Sequence, residues 1–253
     1  MKLVHLINNN QMNIYSNSIY QRMKNETIIE SILSEGFKAF YCLEEIFMGV
    51  NRPSGFIGIP MISFCDIPLV HVAKNNYGKC GIAMSRKWGH SKHLEPVLYY
   101  PNDISCQSTK MILKAYEEFV NNPTNYDGYR ILGYAKPITK PTKIEGKSSN
   151  NYAEREWRKV YATPAPLKWK TRDEYEAYRG AREDPKQAVG TPIKFQVEDI
   201  DFILVDRNSA PALRDFIMNR LTNLCGAQTA LSLDDKYILL SKILEFENLV
   251  HNL

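Results

Sequence analysis

The chain has 253 residues, enough for one large domain or two small ones, and its 44% apolar and 24% charged residues are typical of globular proteins. Its net charge of +4 is too small to indicate nucleic acid binding, although it does not oppose a polyanionic partner. The sequence has no N-terminal apolar leader and no apolar run of about 18 residues, so we expect a cytoplasmic protein without a membrane span.

The cysteines are odd in number and show neither a CxxC motif nor the spacing of a Cys/His metal site. We therefore expect free thiols, no disulfide framework and no zinc. The five residues concerned are Cys42, Cys65, Cys80, Cys106 and Cys225.

The N-terminal part of the chain predicts a β-α-β arrangement. Lys2–Ile7 (KLVHLI) is a short apolar strand that carries His5, a residue most simply explained as a histidine satisfied in or beside the core. Apolar residues then repeat at helical spacing over Glu26–Glu35, and Gly36 is suited to end that helix. Phe37–Cys42 is predicted to be the second strand.

Residues 51–84 form the most hydrophobic block of the chain. Phe56–Phe64 and Gly81–Met84 are predicted strands, because they are apolar and bounded by Gly and Pro. Arg52 precedes the first of them, where a charge usually lies at the mouth of a loop. Tyr77 precedes the second, and in that position an aromatic residue is more often part of a turn than a platform for a ligand.

The stretch Asn151–Tyr161 (NYAEREWRKVY) combines two acids, three bases and three aromatic residues. As a strand it places Glu154, Glu156 and Arg158 on one face, with the two carboxylates about 6.5–7 Å apart. As a helix it makes Glu154 and Arg158 an ordinary i, i+4 ion pair. Its aromatic and β-branched residues favour the strand. Acids and bases that neutralise each other on a solvated edge are the simpler alternative to a catalytic site.

Two more strands are predicted at Ile193–Val197 and Asp201–Val205, and a two-helix extension covers about residues 209–253. The second of these helices is predicted from Asp234 to Val250. No repeat, low-complexity tract or linker divides the chain. The predicted fold is a single α+β domain over residues 1–253, with a mixed, mostly antiparallel sheet flanked by helices.

Sequence signatures of several enzyme classes are missing. There is no GxxxxGK[ST] phosphate loop and no GxGxxG, GxSxG or HExxH motif. Phosphate-loop NTPases, dinucleotide-binding dehydrogenases, α/β-hydrolases and zincins are therefore poor candidates for this chain. What remains is a set of isolated polar residues on or beside predicted strands.

The chain carries four segments that together resemble a known family: SILSEGFKAFYCLEE, MISFCDIPL, YGKCGIAMSRKWG followed by PVLYY, and NYAEREWRKV. They resemble the AbiGi-type family of abortive phage resistance proteins, over about residues 3–205. That family is described as the antitoxin component of a phage-defence pair. The resemblance implies abortive infection as the role, with a cognate toxin or antitoxin, or a phage-derived protein, as the partner.

The chain is also similar, more distantly, to DarT-like ADP-ribosyltransferases, which open with a strand histidine followed by a helix that ends in Gly. ADP-ribosyltransferase folds place a histidine, an aromatic residue and a catalytic glutamate in that order along the chain. The similarity implies an ADP-ribosyltransferase-like fold with NAD as its substrate, a macromolecular target that includes nucleic acid, and no metal. The implied site residues are Glu156 and Glu154 for catalysis, and His5, Tyr77 and Arg52 for contact with NAD.

Two hypotheses follow for the function. In the first, the chain is an enzyme whose carboxylate holds the ribose 2′-hydroxyl and stabilises the oxocarbenium-like state formed as nicotinamide leaves. In the second, the chain is a non-enzymatic antitoxin or regulatory subunit that binds and masks a partner toxin. A cleft lined by His5, Tyr77 and Glu156 would favour the enzyme, and a scattered arrangement would favour the binding module.

Overall fold

The computed structural model describes residues 3–6, 28–66, 80–140, 150–161, 169–180 and 188–251. Eleven β-strands lie within these ranges. They are β1 (Leu3–Leu6), β2 (Phe37–Ile46), β3 (Gly55–Cys65), β4 (Gly81–Met84), β5 (Glu95–Pro96), β6 (Leu98–Tyr100), β7 (Ala135–Pro137), β8 (Glu156–Val160), β9 (Val189–Ile193), β10 (Ile200–Val205) and β11 (Ile243–Glu245).

Eight α-helices lie in the same described ranges. They are α1 (28–35), α2 (Arg86–Ser91), α3 (Gln107–Asn121), α4 (Tyr126–Tyr129), α5 (Arg172–Gly180), α6 (Ala210–Asp215), α7 (Leu233–Ser241) and α8 (Phe246–His251). A π-helical turn, Phe216–Arg220, continues α6. Short 3₁₀ turns at Arg130–Tyr134 and Asn151–Glu154 lead into β7 and β8 respectively.

Nine of the strands form one sheet, whose main path follows the order β11-β10-β4-β1-β3-β2-β9, while β8 pairs with β3 and β5 pairs with β8. The pairs β1–β3, β1–β4, β2–β3 and β4–β10 are antiparallel, whereas β10–β11 is parallel. Strands β6 and β7 form a separate, parallel pair. The predicted α+β class and the mixed, mostly antiparallel sheet are therefore confirmed.

Most strands predicted from period-two and apolar patterns lie in this sheet, but the predicted strand Ile193–Val197 is wrong, because β9 ends at Ile193 and Val197 begins a 3₁₀ turn. His5 lies on β1, in register with Ile82 of β4. The predicted Phe56–Phe64 corresponds to β3, the predicted Gly81–Met84 to β4, and the predicted Glu156–Tyr161 to β8.

Helix α1 ends at Gly36, as its sequence predicts. The Gly36 N–H donates to the carbonyl of Ile32 at 2.8 Å, and the residue has a φ of +92°. A side chain at this position would have its Cβ 2.7 Å from the carbonyl oxygen of Ile193. The helix therefore stops at a residue that needs both the left-handed backbone and the absence of a Cβ.

The chain divides into two compact units. Unit 1 comprises Met1–Lys38, Phe64–His93 and Pro192–Leu253, and unit 2 comprises Ala39–Ser63 and Leu94–Thr191. Strands β2, β3 and β9 each contribute residues to both units.

The core of unit 1 is built around an aromatic cluster. Phe37 packs against Phe64, Trp88 and Phe195, with ring centroids 5.2–5.6 Å apart. Helix α2 presents Trp88 to this cluster, and the Ser85 side chain caps the helix by accepting from the Trp88 N–H at 3.1 Å. Close aromatic packing of this kind stabilises a core beyond the area it buries.

The core of unit 2 lies between its strands and the amphipathic helix α3. This helix buries Ile112, Ala115 and Phe119 against apolar residues of β2 and β3. Trp169 is buried in the same core, where its ring packs edge-on against Tyr126. The buried residues of α3 are three or four positions apart, and this spacing places them on one face of a helix.

The predicted C-terminal helix from Asp234 to Val250 is wrong in its middle. Helix α7 ends at Ser241, and Ile243–Glu245 form β11, which pairs in parallel with Ile203–Val205. The backbone groups of this segment thus bond to a neighbouring strand, and Ile243 is buried there. The local sequence pattern favours a helix here, but pairing with β10 makes the segment a strand.

All five cysteines are free thiols, which confirms the expectation from their spacing. Cys80 and Cys225 are buried, and the other three are partly buried. In the described ranges, no helix combines the length and apolar character that crossing a membrane requires.

Candidate functional site

The two predicted catalytic glutamates lie together in unit 2, but on different elements. Glu156 is the first residue of β8, whereas Glu154 lies in the preceding 3₁₀ turn. The prediction that one strand carries both carboxylates is therefore wrong for Glu154. The turn forms because the Tyr152 N–H donates to the Asn150 side chain at 3.1 Å and Arg155 adopts a left-handed φ of 44°.

The other predicted site residues lie on other elements or outside the described residues. His5 lies on β1 in unit 1. Arg52 lies in the exposed turn between β2 and β3 and takes no part in the contacts of Glu154 and Glu156 given below. Tyr77 lies outside the described residues. The predicted group of NAD-binding residues thus stays a prediction.

Glu156 is the centre of a buried ion network. Its Oε1 accepts from Arg158 Nε at 2.7 Å, and its Oε2 accepts from Arg158 Nη2 at 3.0 Å and from Lys136 Nζ at 2.9 Å. Lys136 Nζ also donates to Glu154 at 2.7 Å, and Arg158 Nη2 donates to Glu44 at 2.9 Å. Three carboxylates and two cations are therefore joined without interruption.

The network is most deeply buried at its centre and open at one edge. The Arg158 side chain is 0% exposed and that of Glu156 is 7% exposed, whereas that of Glu154 is 27% exposed. Burial alone would raise the pKa of Glu156, but Arg158 and Lys136 outweigh burial and hold that pKa well below its usual range. The Glu156 carboxyl is accordingly ionised and paired, not poised to exchange a proton near neutral pH.

Backbone contacts fix the position of β8 around this network. The Glu156 N–H donates to the Tyr99 hydroxyl at 2.8 Å, and the Val97 N–H donates to the Glu156 carbonyl at 2.9 Å. Arg158 Nη1 donates to the carbonyl of Gly133 at 3.1 Å. Strand β8 is thereby fixed to the segment around β6 and to the Arg130–Tyr134 turn, which positions its charged groups.

An aromatic pair borders the open edge of the network. The rings of Tyr99 and Tyr152 meet edge to face with centroids 5.2 Å apart. Burial raises the pKa of Tyr99 to about 12, with the Glu156 N–H bond acting against that rise. The Tyr99 hydroxyl therefore stays protonated at neutral pH.

The sequence identified three members of the network, Glu154, Glu156 and Arg158, and left out the two that complete it. Arg158 was recognised as sharing a face with Glu156, and the spacing of two residues carried that signal. Lys136 and Glu44 lie on β7 and β2, far from β8 in sequence. No local pattern marks either residue as a partner of Glu156.

A separate cleft of about 360 Å³ opens elsewhere in unit 2. It lies beside α3 and the start of α5, and Arg172 stacks over the Phe56 ring at 4.4 Å from its centroid. None of the predicted site residues lines it. Among the described residues, no group of three His, Cys, Asp or Glu side chains is placed to hold a metal ion.

Comparison with known proteins finds one relationship. A family model described as "Putative abortive phage resistance protein AbiGi, antitoxin" matches residues 36–206, which is well over half of the chain and includes all five members of the ion network. No curated protein and no solved structure matches the chain.

Proposed function

The chain belongs to the AbiGi family of abortive phage resistance proteins, and from this premise we propose that it acts as an antitoxin that binds and neutralises a partner toxin. Phage defence by abortive infection is the role that the family carries. The partner and the way in which the chain acts on it are the proposal. Antitoxin action by direct binding needs a stable scaffold with a specific surface, and it needs no catalytic group.

The observation that carries this proposal is the saturated carboxylate of Glu156. Both of its oxygens already accept charge-assisted hydrogen bonds, from Arg158 and Lys136, and its side chain is 7% exposed. A catalytic glutamate of the predicted kind would have to present an oxygen to the ribose of NAD. Here both oxygens bond to Arg158 of the same strand and one of them also bonds to Lys136 of β7, which supports a structural role.

Neutralisation of a toxin is the direct test. The protein encoded by the adjacent gene is expressed from an inducible promoter, with and without the chain, and colony formation is counted. We expect wild type to restore growth, and the partly exposed carboxylate variant Glu154→Gln to restore it equally. Failure of wild type to restore growth, or to bind that protein when both are purified, would contradict the proposal.

ADP-ribosyl transfer from NAD is the second candidate function. The observation that favours it is the convergence of two carboxylates on Lys136, one buried and one 27% exposed at the edge of the network. In this proposal Glu156 is catalytic, Glu154 orients the acceptor, and His5, Tyr77 and Arg52 contact NAD. Labelled NAD incubated with the protein and infected-cell lysate should then release nicotinamide or label a macromolecule.

The two candidates predict different results for the same assay. Release of nicotinamide by wild type that is lost in a folded Glu156→Gln variant would support the enzyme. Neutralisation of the toxin without any NAD turnover would support the antitoxin.

A further inference from the structure

We propose that an exposed surface of unit 2 binds an acidic, amphipathic segment of the partner toxin. This surface, the hairpin patch, combines the turn between β2 and β3 with the beginning of α3. It consists of Val50, Arg52, Ile104, Lys110, Met111 and Lys114. The inference rests on the proposed antitoxin function and names the surface that performs it.

The turn and the segment before α3 are in contact. Gly49 has a φ of +122°, and the Arg52 N–H donates to its carbonyl at 3.3 Å, which closes the turn. A Cβ at Gly49 would lie 3.8 Å from Ile104 Cγ2 and 3.9 Å from Arg52 Cδ. Ile104 and the Arg52 stem therefore both border the turn at Gly49.

Helix α3 extends this surface. The chain runs from Ile104 through Cys106, the N-cap residue of α3, and the Lys110 N–H donates to the Cys106 carbonyl at 3.1 Å. Lys110, Met111 and Lys114 are exposed on the first two turns of the helix, whose other side is buried in the core.

The patch exposes large apolar side chains to water, and this exposure is unfavourable unless a partner covers them. Val50 is 89% exposed, Ile104 is 54% exposed and Met111 is 61% exposed. Single exposed apolar residues are common, but three on adjoining segments are typical of a protein contact surface. Aliphatic side chains of this kind bind by burial against a matching apolar partner.

The charges of the patch determine the chemistry of the partner. Arg52, Lys110 and Lys114 form no ion pair within the part of the chain that the structure describes. Asp103 lies near them; hydrogen bonds with Ser105 hold the pKa of its carboxyl below the usual range, and the charge of Lys110 lowers that pKa further. The three cations around the apolar centre outnumber this acid, so the patch is complementary to a segment with acidic and apolar residues.

A protein fits this surface better than a nucleic acid does. The patch offers no aromatic ring on which a base could stack, and its three cations alternate with aliphatic side chains. Aliphatic side chains gain little from contact with a charged phosphate backbone. Against an amphipathic segment, the same side chains would bury apolar surface.

The test measures binding of the purified protein to the product of the adjacent gene. Val50→Asp and Met111→Asp each introduce a carboxylate into the apolar centre of the patch. The double substitution Arg52→Glu with Lys110→Glu reverses the charge of two of its cations. Each change should raise the Kd at least about tenfold, and binding by wild type should weaken as salt rises. Val120→Asp is the matched control, because Val120 is 59% exposed on the same helix but points half a turn away from Met111.

Each outcome decides a different step. If wild type neutralises the toxin and all patch variants do so as well, the surface is wrong while the antitoxin function stands. If wild type neither binds nor neutralises the toxin, both the patch and the antitoxin function are contradicted. If only the charge reversals weaken binding, and wild type binds a duplex oligonucleotide that the same reversals release, the protein partner is overturned in favour of nucleic acid. Loss of neutralisation in Val50→Asp and Met111→Asp, but not in Val120→Asp, supports the patch.

Discussion

Arg158 is a fully buried guanidinium, and its partners decide what a substitution in the network will do to stability. Its Nε and one Nη bond to Glu156, and the network continues from there to Lys136 and Glu44. A buried pair of this kind contributes little net stability over an apolar replacement, but the loss of one partner leaves an uncompensated charge.

We therefore predict that Glu156→Gln lowers the free energy of unfolding by about 3 kcal/mol. Glu154→Gln, at the open edge, should lower it by no more than about 1 kcal/mol, because solvent screens the Glu154–Lys136 pair. Urea denaturation of both variants at pH 7 measures the difference. The catalytic hypothesis expects the reverse pattern for Glu156→Gln, with nearly unchanged folding and lost phage protection.

The depressed pKa of Glu156 predicts how stability depends on pH. Its ordinary value is 4.5, and in the folded chain Arg158 and Lys136 hold it well below that value. The unfolded chain therefore takes up this proton first, so the stabilisation is complete above pH 4.5 and is lost as pH falls. Denaturation at a series of pH values between neutral and acid should show this loss, and Glu156→Gln should show a shallower one. Equal slopes for the two proteins would contradict the assignment.

Cys225, a buried cysteine of unit 1, predicts an order of thiol reactivity. Burial raises the pKa of Cys225 to about 11, and only the thiolate reacts readily. Cys225 should therefore be modified by a thiol reagent in the native protein later than the partly buried Cys42 and Cys106. Timed labelling followed by mass spectrometry measures the order. Full reactivity of Cys225 at the rate of Cys106 would contradict its burial.

At the scale of elements, close approaches of backbone decide where α1 can end. Gly36 combines a φ of +92° with a Cβ position 2.7 Å from the Ile193 carbonyl oxygen. Gly226 has a similar φ of +63°, but a Cβ there would meet only the Ser34 carbonyl oxygen, at 3.8 Å. A side chain at either glycine would strain the backbone, but only a side chain at Gly36 would also clash with a neighbouring atom.

Gly36→Ala should lower the free energy of unfolding by more than Gly226→Ala. Both variants carry the cost of a left-handed backbone, about 1 kcal/mol, and only Gly36→Ala adds a clash with a backbone atom. Thermal unfolding of the two variants under one condition measures the difference. Equal destabilisation would show that the contact with Ile193 relaxes freely.

At the scale of the whole molecule, three strands contribute residues to both compact units. Because β2, β3 and β9 each belong to two units, neither unit contains complete strands at these positions. We predict that the chain unfolds in a single transition, as the single domain expected from the sequence would. Calorimetry measures this, and two separated transitions would show that the units unfold independently.

Local sequence was sufficient for much of the sheet. The period-two and apolar patterns around His5, Phe56–Phe64 and Gly81–Met84 identified strands that the structure contains. Gly36 was identified as a helix end because only a glycine meets the backbone demand there. These features depend on interactions between near neighbours in the chain, which a single sequence displays directly.

Only the tertiary structure decided the features that depend on partners distant in sequence. Ile243–Glu245 are a strand because β10 offers them a parallel ladder, although their local pattern is helical. Glu156 is a saturated carboxylate because β2 and β7 bring Glu44 and Lys136 to Arg158 and to it. A charged residue in a sequence has the same appearance whether it is solvated or buried and paired. The physical difference lies in long-range contacts, and here these contacts make Glu156 the centre of an ion network.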